Sequence, residues 1–197
     1  MAGAVPSGMG AESFIEIRRA WQAGETIFLL GPGGVGKSTL GLELCRRLNW
    51  PLIDLDLQFC ERIEIIGSFI ATHGYERYRA ENLALAEDLA NSTRGPAVFV
   101  TASGFLAGKP GTDDFTRSRE LVSTGYGLTL LPSLDIEAAT SIVVERQLTR
   151  GFGFERDGEE RKFRERFRIY QHAGDMLVVS VDQPASIATA IVERLAP

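Results

Sequence analysis

This chain is poor in the residues that build metal clusters, disulfide frameworks and membrane spans. Its 197 residues include two cysteines and two histidines. Cys45 and Cys60 lack metal-ligand spacing and read as small hydrophobes in a reducing compartment. His73 and His172 read as loop, cap or helix-end residues, and no metal centre or nucleophilic triad can be assembled from so few. No run of about 18 apolar residues occurs, so no membrane span is expected. Positive charge is not in excess: the net charge is −5 and the pI near 5.2. That argues against a nucleic-acid-binding face, but leaves room for a local basic pocket. Residues 1–10, MAGAVPSGMG, have neither the basic start nor the apolar core of a secretory signal and read as a flexible leader. The expectation is a soluble cytoplasmic protein, monomeric or weakly dimeric, with no nucleic-acid or membrane partner.

Hydrophobic residues make up 44% of the chain, enough for one sizeable core over residues 11–197. Phe14, Ile15, Ile17 and Trp21 share a face at helical spacing, which predicts an N-terminal helix over 12–22. Short apolar runs then alternate with helical patterns. "TIFLLG", "PLIDLD", "AVFVTASG", "GLTLLPS" and "MLVVSVD" read as five buried strands. Helical stretches cover Ser38–Leu48, Leu57–Asn91 with a break near Gly74, the "DDFTRSREL" segment, Ile136–Arg150, Phe163–His172 and Pro184–Leu195. The pattern predicts an α/β fold of three layers, α/β/α, around a five-stranded parallel sheet. The segment of about 150–162 carries glycines and charges of both signs. It reads as a solvated face or as a mobile lid that closes over a phosphoryl group and excludes water.

The strongest local signal is "GPGGVGKST". Gly31, Gly36, Lys37 and Ser38 fit G-x-x-x-x-G-K-[ST], directly after a strand and directly before a helix. Glycines let successive N–H groups turn inward, and the helix start presents its positive end to phosphate oxygens. Gly31, Gly33, Gly34, Val35, Gly36, Lys37, Ser38 and Thr39 are therefore the expected nucleotide-binding residues. Lys37 reaches the β- and γ-phosphates and Ser38 offers a hydroxyl to Mg²⁺, so ATP and Mg²⁺ are the expected cofactors. Two absences narrow the class. The third strand ends without the carboxylate of motor ATPases, and no guanine-reading Asn-Lys-x-Asp occurs. Those absences favour a small-molecule kinase, with its second substrate over the same sheet edge.

Candidates for the acceptor half follow. "IDLD" places Asp54 and Asp56 at the carboxyl end of the second strand, where ligands of open α/β sheets bind. Alternation puts both on one side. One could assist Mg²⁺ through water and the other orient or deprotonate a hydroxyl, although a helix cap is the competing reading. Arg77 and Arg79 lie in an aromatic-flanked stretch, where a guanidinium fork suits a carboxylate, although a solvated surface is the usual place for a helical arginine. Arg150 opens the lid and Arg166 follows it.

These residues resemble the shikimate kinase family, within the nucleoside-monophosphate-kinase-like group, from about Thr26 to Leu195. "GPGGVGKSTLGLELCRRLNWPLIDLD" is similar to the family's loop and D-x-D strand, with Asp56 19 positions after Lys37. "GYERYRAEN" resembles the family's G-x-x-x-F-R-x-x-E with Gly74, Tyr78 and Arg79 in place. Asn82 stands where the glutamate is usual, with Glu81 beside it. The resemblance implies an ATP-dependent kinase of aromatic amino acid biosynthesis. Asp54 would sit near Mg²⁺, and Asp56 would contact the acceptor hydroxyls as the base. Arg79 and, from "RFRIY", Arg166 would bind the acceptor carboxylate. Arg150 would be the lid arginine, and "DQPAS" would hold adenine. The family's triple-glycine turn is Ala102-Ser103-Gly104 here, so Ser103 and Gly104 join the expected acceptor contacts. Shikimate is the first acceptor the resemblance implies. The rivals are a same-fold kinase for a gluconate-like sugar acid or a nucleotide, and a non-catalytic nucleotide-dependent regulatory protein.

Overall fold

The five apolar runs lie side by side in the centre of the molecule. The computed structural model describes residues 13–149 and 155–195. The leader, Arg150 and the first part of the expected lid, residues 150–154, lie outside the described residues. The central strands are β2 (Ile27–Leu30), β3 (Leu52–Asp54), β4 (Val98–Val100), β5 (Tyr126–Leu131) and β6 (Met176–Val179). All pair in parallel. Every residue of β2, β4, β5 and β6 is buried. Helices cover both faces of the sheet, which is why these strands read as continuous apolar runs and not as alternations.

The sheet has six strands, not five, in the order β1-β6-β5-β2-β4-β3. The sixth replaces the N-terminal helix expected over 12–22. Residues Phe14–Ile17 form β1, antiparallel to β6, with Phe14 opposite Val179 and Ile17 opposite Met176. Four residues cannot distinguish helical spacing from an edge strand. The open edge of β6 decides, since its unpaired amides and carbonyls need partners. Arg19 secures the exit by donating to Asp175, Glu25 and the Gly125 carbonyl. Trp21, which marked the expected helix face, packs on Trp50 instead, with ring centroids 6.3 Å apart.

The helices are α1 (Lys37–Leu48), α2 (Leu55–Arg62), α3 (Ile66–His73), α4 (Tyr75–Ser92), α5 (Asp113–Ser123), α6 (Ile136–Leu148), α7 (Arg156–Tyr170) and α8 (Pro184–Leu195). Two boundaries differ from expectation, and both bear on the site. The "PLIDLD" strand stops at Asp54, whose carboxylate caps α2 by accepting from the Leu57 amide at 3.4 Å. Asp56 therefore sits in the first turn of a helix, not on a strand beside Asp54. The charged run after 155 is helical. Arg156 pairs with Glu160 on the exposed side, and Lys162 with the more buried Glu159. Phe163, Phe167 and Tyr170 recur at i, i+4 and i+7 and are buried. Of the expected lid, residues 156–162 are thus the first turns of α7.

Parallel pairing brings all the strand carboxyl ends to one edge, and the turns that leave them define the crevice. β2 feeds the glycine loop and α1, β3 feeds Asp54 and α2, and β4 feeds the 101–104 turn. From β3 the chain returns to β4 and then crosses β2 to reach β5, so the switch point lies over β2. Helix α1 sits low on the sheet because Gly41 has no side chain. A Cβ there would lie 2.8 Å from Val100 Cγ2 and 3.1 Å from Leu52 Cδ1. Gly41→Val is expected to destabilise the fold by about 1–3 kcal/mol through overpacking. Each kcal/mol lost should appear as a fall of about 2–4 °C in melting temperature.

Candidate active site

The glycine loop leaves α1 with its amino end open. Gly36 caps the helix at φ 102°, a left-handed conformation that costs glycine little, and it supplies no capping side chain. The first turn of α1 has no acidic residue. Gly34, at φ 79°, runs so close to α6 that a Cβ would meet Val143 Cγ1 at 2.8 Å. Lys37 is buried, and its Nζ donates to the Gly31 and Pro32 carbonyls at 2.8 and 3.0 Å. The loop, Lys37, Ser38, Thr39 and Thr101 enclose a cavity of about 240 Å³. Helix-end amides, a lysine and a hydroxyl form a donor set that fits a polyphosphate. Among the described residues no group of three His, Cys, Asp or Glu could hold a metal ion. The Ser38 hydroxyl in this cavity fits Mg²⁺, which takes few protein ligands and keeps phosphate and water. A depression of about 400 Å³ continues from the loop to Arg146, Asp182, Gln183 and Pro184.

A second cavity of about 370 Å³ adjoins the first. Gly33, Asp56, Ser103 and Gln147 line both, so they form the shared wall. Burial pushes the Asp56 carboxyl above its ordinary pKa. Lys37 pulls it back, Asp54 raises it further, and the Tyr78 hydroxyl and Arg166 lower it. Tyr78 Oη donates to Asp56 Oδ1 at 3.5 Å. On the far side, Arg166 donates to Ser103 Oγ at 2.8 Å and to Tyr75 Oη at 3.0 Å. It has no carboxylate partner among the described residues. Tyr170, fully buried with its hydroxyl pKa pushed up to about 12, bonds Ser103 O and the Leu106 amide, which fixes the turn.

Several expected residues converge here. Lys37, Ser38, Thr39, Asp56, Ser103, Gly104 and Arg166 all face one or both cavities. At Gly104 a Cβ would lie 2.6 Å from Tyr75 Oη and 3.2 Å from Arg166 Nη2, so a side chain there would displace both groups. The alternatives to Arg166 point elsewhere. Arg164 pairs with Glu137 on the surface, and Arg168 lines a separate depression. The arrangement follows from helix geometry, because Arg166 lies three residues from Phe163 and four from Tyr170 on the buried side.

Other expectations are not met. Asp54 lines neither cavity, and capping α2 is what its carboxylate does. Arg79 lines only a small recess behind the turn and is ion-paired with Asp114. Glu81 pairs with Arg77 at the surface, and the carboxylate that meets Arg79 is Asp114, 35 residues on. Sequence reasoning also missed Tyr75, Gln147, Glu159 and Lys162, which line the larger cavity. The i, i+4 spacing of Lys162 and Arg166 was the available signal for one of them.

This fold and site define an ATP-dependent small-molecule kinase with a phosphate-binding loop. The family model described as shikimate kinase matches residues 33–196. The chain is similar to the shikimate kinase of Colwellia psychrerythraea, at 31% identity over 86% of this chain and 95% of that protein. The shikimate kinase structure from Bacteroides thetaiotaomicron superposes with a TM-score of 0.69 and 22% identity, over 88% of this chain and 99% of that one. A gluconokinase from Sinorhizobium meliloti shares the fold at TM-score 0.60 and 22% identity, over 90% and 93% of the two chains. The chain belongs to the shikimate kinase family.

The raised Asp56 pKa has a definite consequence for stability. Between the unfolded value, about 4, and the higher folded value, the folded state binds more protons, so stability falls as pH rises through that window. Above it the loss is complete. Asp56→Asn removes the buried charge and should raise the melting temperature at about pH 8, with the advantage vanishing near pH 4. Thermal melts of both proteins across that range check the sign.

Proposed function

We propose that the protein transfers the γ-phosphoryl group of ATP to a hydroxyl of a small carboxylate-bearing acceptor. Shikimate, giving shikimate 3-phosphate, is the first candidate. The observation that carries this reading is the wall shared by the two cavities, with Asp56 on it and a cation on either side. A donor phosphate on the loop and an acceptor hydroxyl in the larger cavity would meet at that carboxylate.

The amides of the loop and the α1 start hold the polyphosphate, and Lys37 turns from the loop carbonyls to the β- and γ-phosphates. Mg²⁺ would be held by Ser38 and would offset phosphate charge during transfer. Asp56 accepts the acceptor's proton as its oxygen bonds to phosphorus and the bond from γ-phosphorus to the bridging oxygen breaks. Its raised proton affinity suits that task, because a base works best with a pKa drawn toward the operating pH. Arg166 pairs with the acceptor carboxylate. The "DQPAS" loop and Arg146 flank the depression where adenine would rest. Most of the rate enhancement would come from positioning and preorganised charge.

A sugar acid such as gluconate is the second acceptor reading. The Ser103 hydroxyl, which replaces a backbone-only turn, and the engagement of Arg79 by Asp114 favour it. A coupled ADP-release assay with Mg-ATP decides between them. Acceptor-dependent release with shikimate, absent in Lys37→Ala, is the expected result. Release with gluconate alone would move the assignment to sugar acids. Nucleotide binding with no acceptor-dependent release from any hydroxy acid would overturn the kinase reading in favour of a regulatory protein.

A further inference from the structure

Away from the Asp56 site, the carboxyl end of α7, one side of α5, the loop after β4 and the 172–175 turn enclose an open depression of about 590 Å³. It shares no lining residue with the two cavities at Asp56 or with the depression beside the glycine loop. Its floor is apolar: Leu106 and Val122 are buried, and Phe115 and Ile169 are half-buried. Arg119, Arg168 and His172 stand around that floor. Carboxylates are plentiful in this chain, with 26 Asp and Glu against 21 Lys and Arg. Arg117, two residues before Arg119 on α5, bonds both Glu87 and Asp113. Arg119 bonds no carboxylate. Its Cζ lies 3.7 Å from the centroid of the Phe115 ring, and its Nη1 donates to the Phe115 carbonyl at 3.3 Å. No other hydrogen bond or ion pair of Arg119, and none of Arg168 or His172, occurs among the described residues. Asp175, the carboxylate on this lining, is already held by Arg19 and the Gly127 amide. Burial draws the Arg119 guanidinium below its ordinary pKa, with Tyr170 acting the other way. A cation partly removed from water without a counter-charge is costly, and an anion beside it offsets that cost.

We propose that this depression is a second ligand site, which binds a small ring-bearing carboxylate with its ring on the apolar floor and its carboxylate between Arg119 and Arg168. The inference stands apart from the phosphoryl-transfer reading, since none of these residues lines the Asp56 cavities. Contact with the Phe115 ring occupies a face of the Arg119 guanidinium and leaves its edge, where the N–H donors lie, for a planar acceptor. Arg168 supplies a second fork, and His172 donates from whichever ring nitrogen carries a proton. A bare inorganic anion would meet the cations but leave the floor wet. A neutral ring would cover the floor but leave Arg119 without a counter-charge. A ring that carries a carboxylate does both, and the volume is that of an ordinary small-molecule pocket. Helix α7 then serves two ligands. Arg166 and Arg168 are two residues apart, which turns them about 200° from each other around the helix axis. Arg166 faces the acceptor cavity and Arg168 this depression.

Calorimetric titration of the full chain with 3-phenylpropionate tests the site. The comparison probes are 3-phenylpropanamide, which lacks the charge, and inorganic phosphate, which lacks the ring. Wild type should bind 3-phenylpropionate saturably, with a Kd on the order of 1 mM or tighter. The amide and phosphate should bind at least about tenfold more weakly. Arg119→Gln and Arg168→Gln should each weaken 3-phenylpropionate about tenfold. Arg166→Gln, in the acceptor cavity, should change its affinity by less than about threefold. If Arg119→Gln does not fold, Arg168→Gln carries the test, because that side chain is exposed and makes no bond among the described residues for the fold to lose. Loss of binding in Arg166→Gln with Arg168→Gln unaffected would place the probe in the acceptor cavity and overturn the proposal. Equal affinity for the amide, phosphate bound as tightly as 3-phenylpropionate, or no saturable binding would overturn it too.

Discussion

One carboxylate sets the terms for this site. Asp56 is held in the first turn of α2, on the wall between a polyphosphate cradle and a second cavity, with Lys37 on one side and Arg166 on the other. Burying an anion there is costly unless cations and hydrogen bonds offset it. Much of the surrounding structure does so. Lys37 is held inward by the Gly31 and Pro32 carbonyls, Tyr78 offers a hydroxyl, and α7 is turned so that Arg166 faces the turn at 102–104. The parallel sheet supplies the frame, because only parallel pairing brings the ends of β2, β3 and β4 to one edge.

The cradle was legible because its parts are contiguous. Loop glycines, a lysine and a serine in nine residues specify their own geometry, and strand-to-helix context comes with them. The five parallel strands were legible for a similar reason, since burial on both faces leaves an unmistakable apolar run. What failed were the features that distant chain segments decide. The "FIEI" stretch could be helix or strand until the bare edge of β6, about 160 residues away in sequence, required a partner. Asp54 and Asp56 looked equivalent until α2 began between them, which made one a cap and the other a cavity residue. The charged run before Phe163 looked like a loop because its helical character rests on i, i+3 and i, i+4 ion pairs more than on an apolar stripe.

The acceptor half shows the same division. Arg79 sits at the family's position, and nothing local to "GYERYRAEN" reveals that Asp114 of α5 will occupy it. Ser103 in the turn was visible as a departure, but its bond to Arg166 was not, because α7 arrives from 63 residues downstream. The donor half of the site thus rests on a contiguous loop, whereas the acceptor half brings Asp56 and Arg166 into one cavity and leaves Arg79 paired with Asp114.

The central claim is that donor and acceptor meet at Asp56. A crystal structure of the protein with MgADP and the acceptor that supports ADP release tests it most directly. The account predicts ADP phosphates on the loop amides and an acceptor hydroxyl within about 3 Å of the Asp56 carboxylate, inside the larger cavity. An acceptor bound elsewhere, with that cavity filled only by water and Asp56 out of hydrogen-bond reach of any hydroxyl, would contradict it.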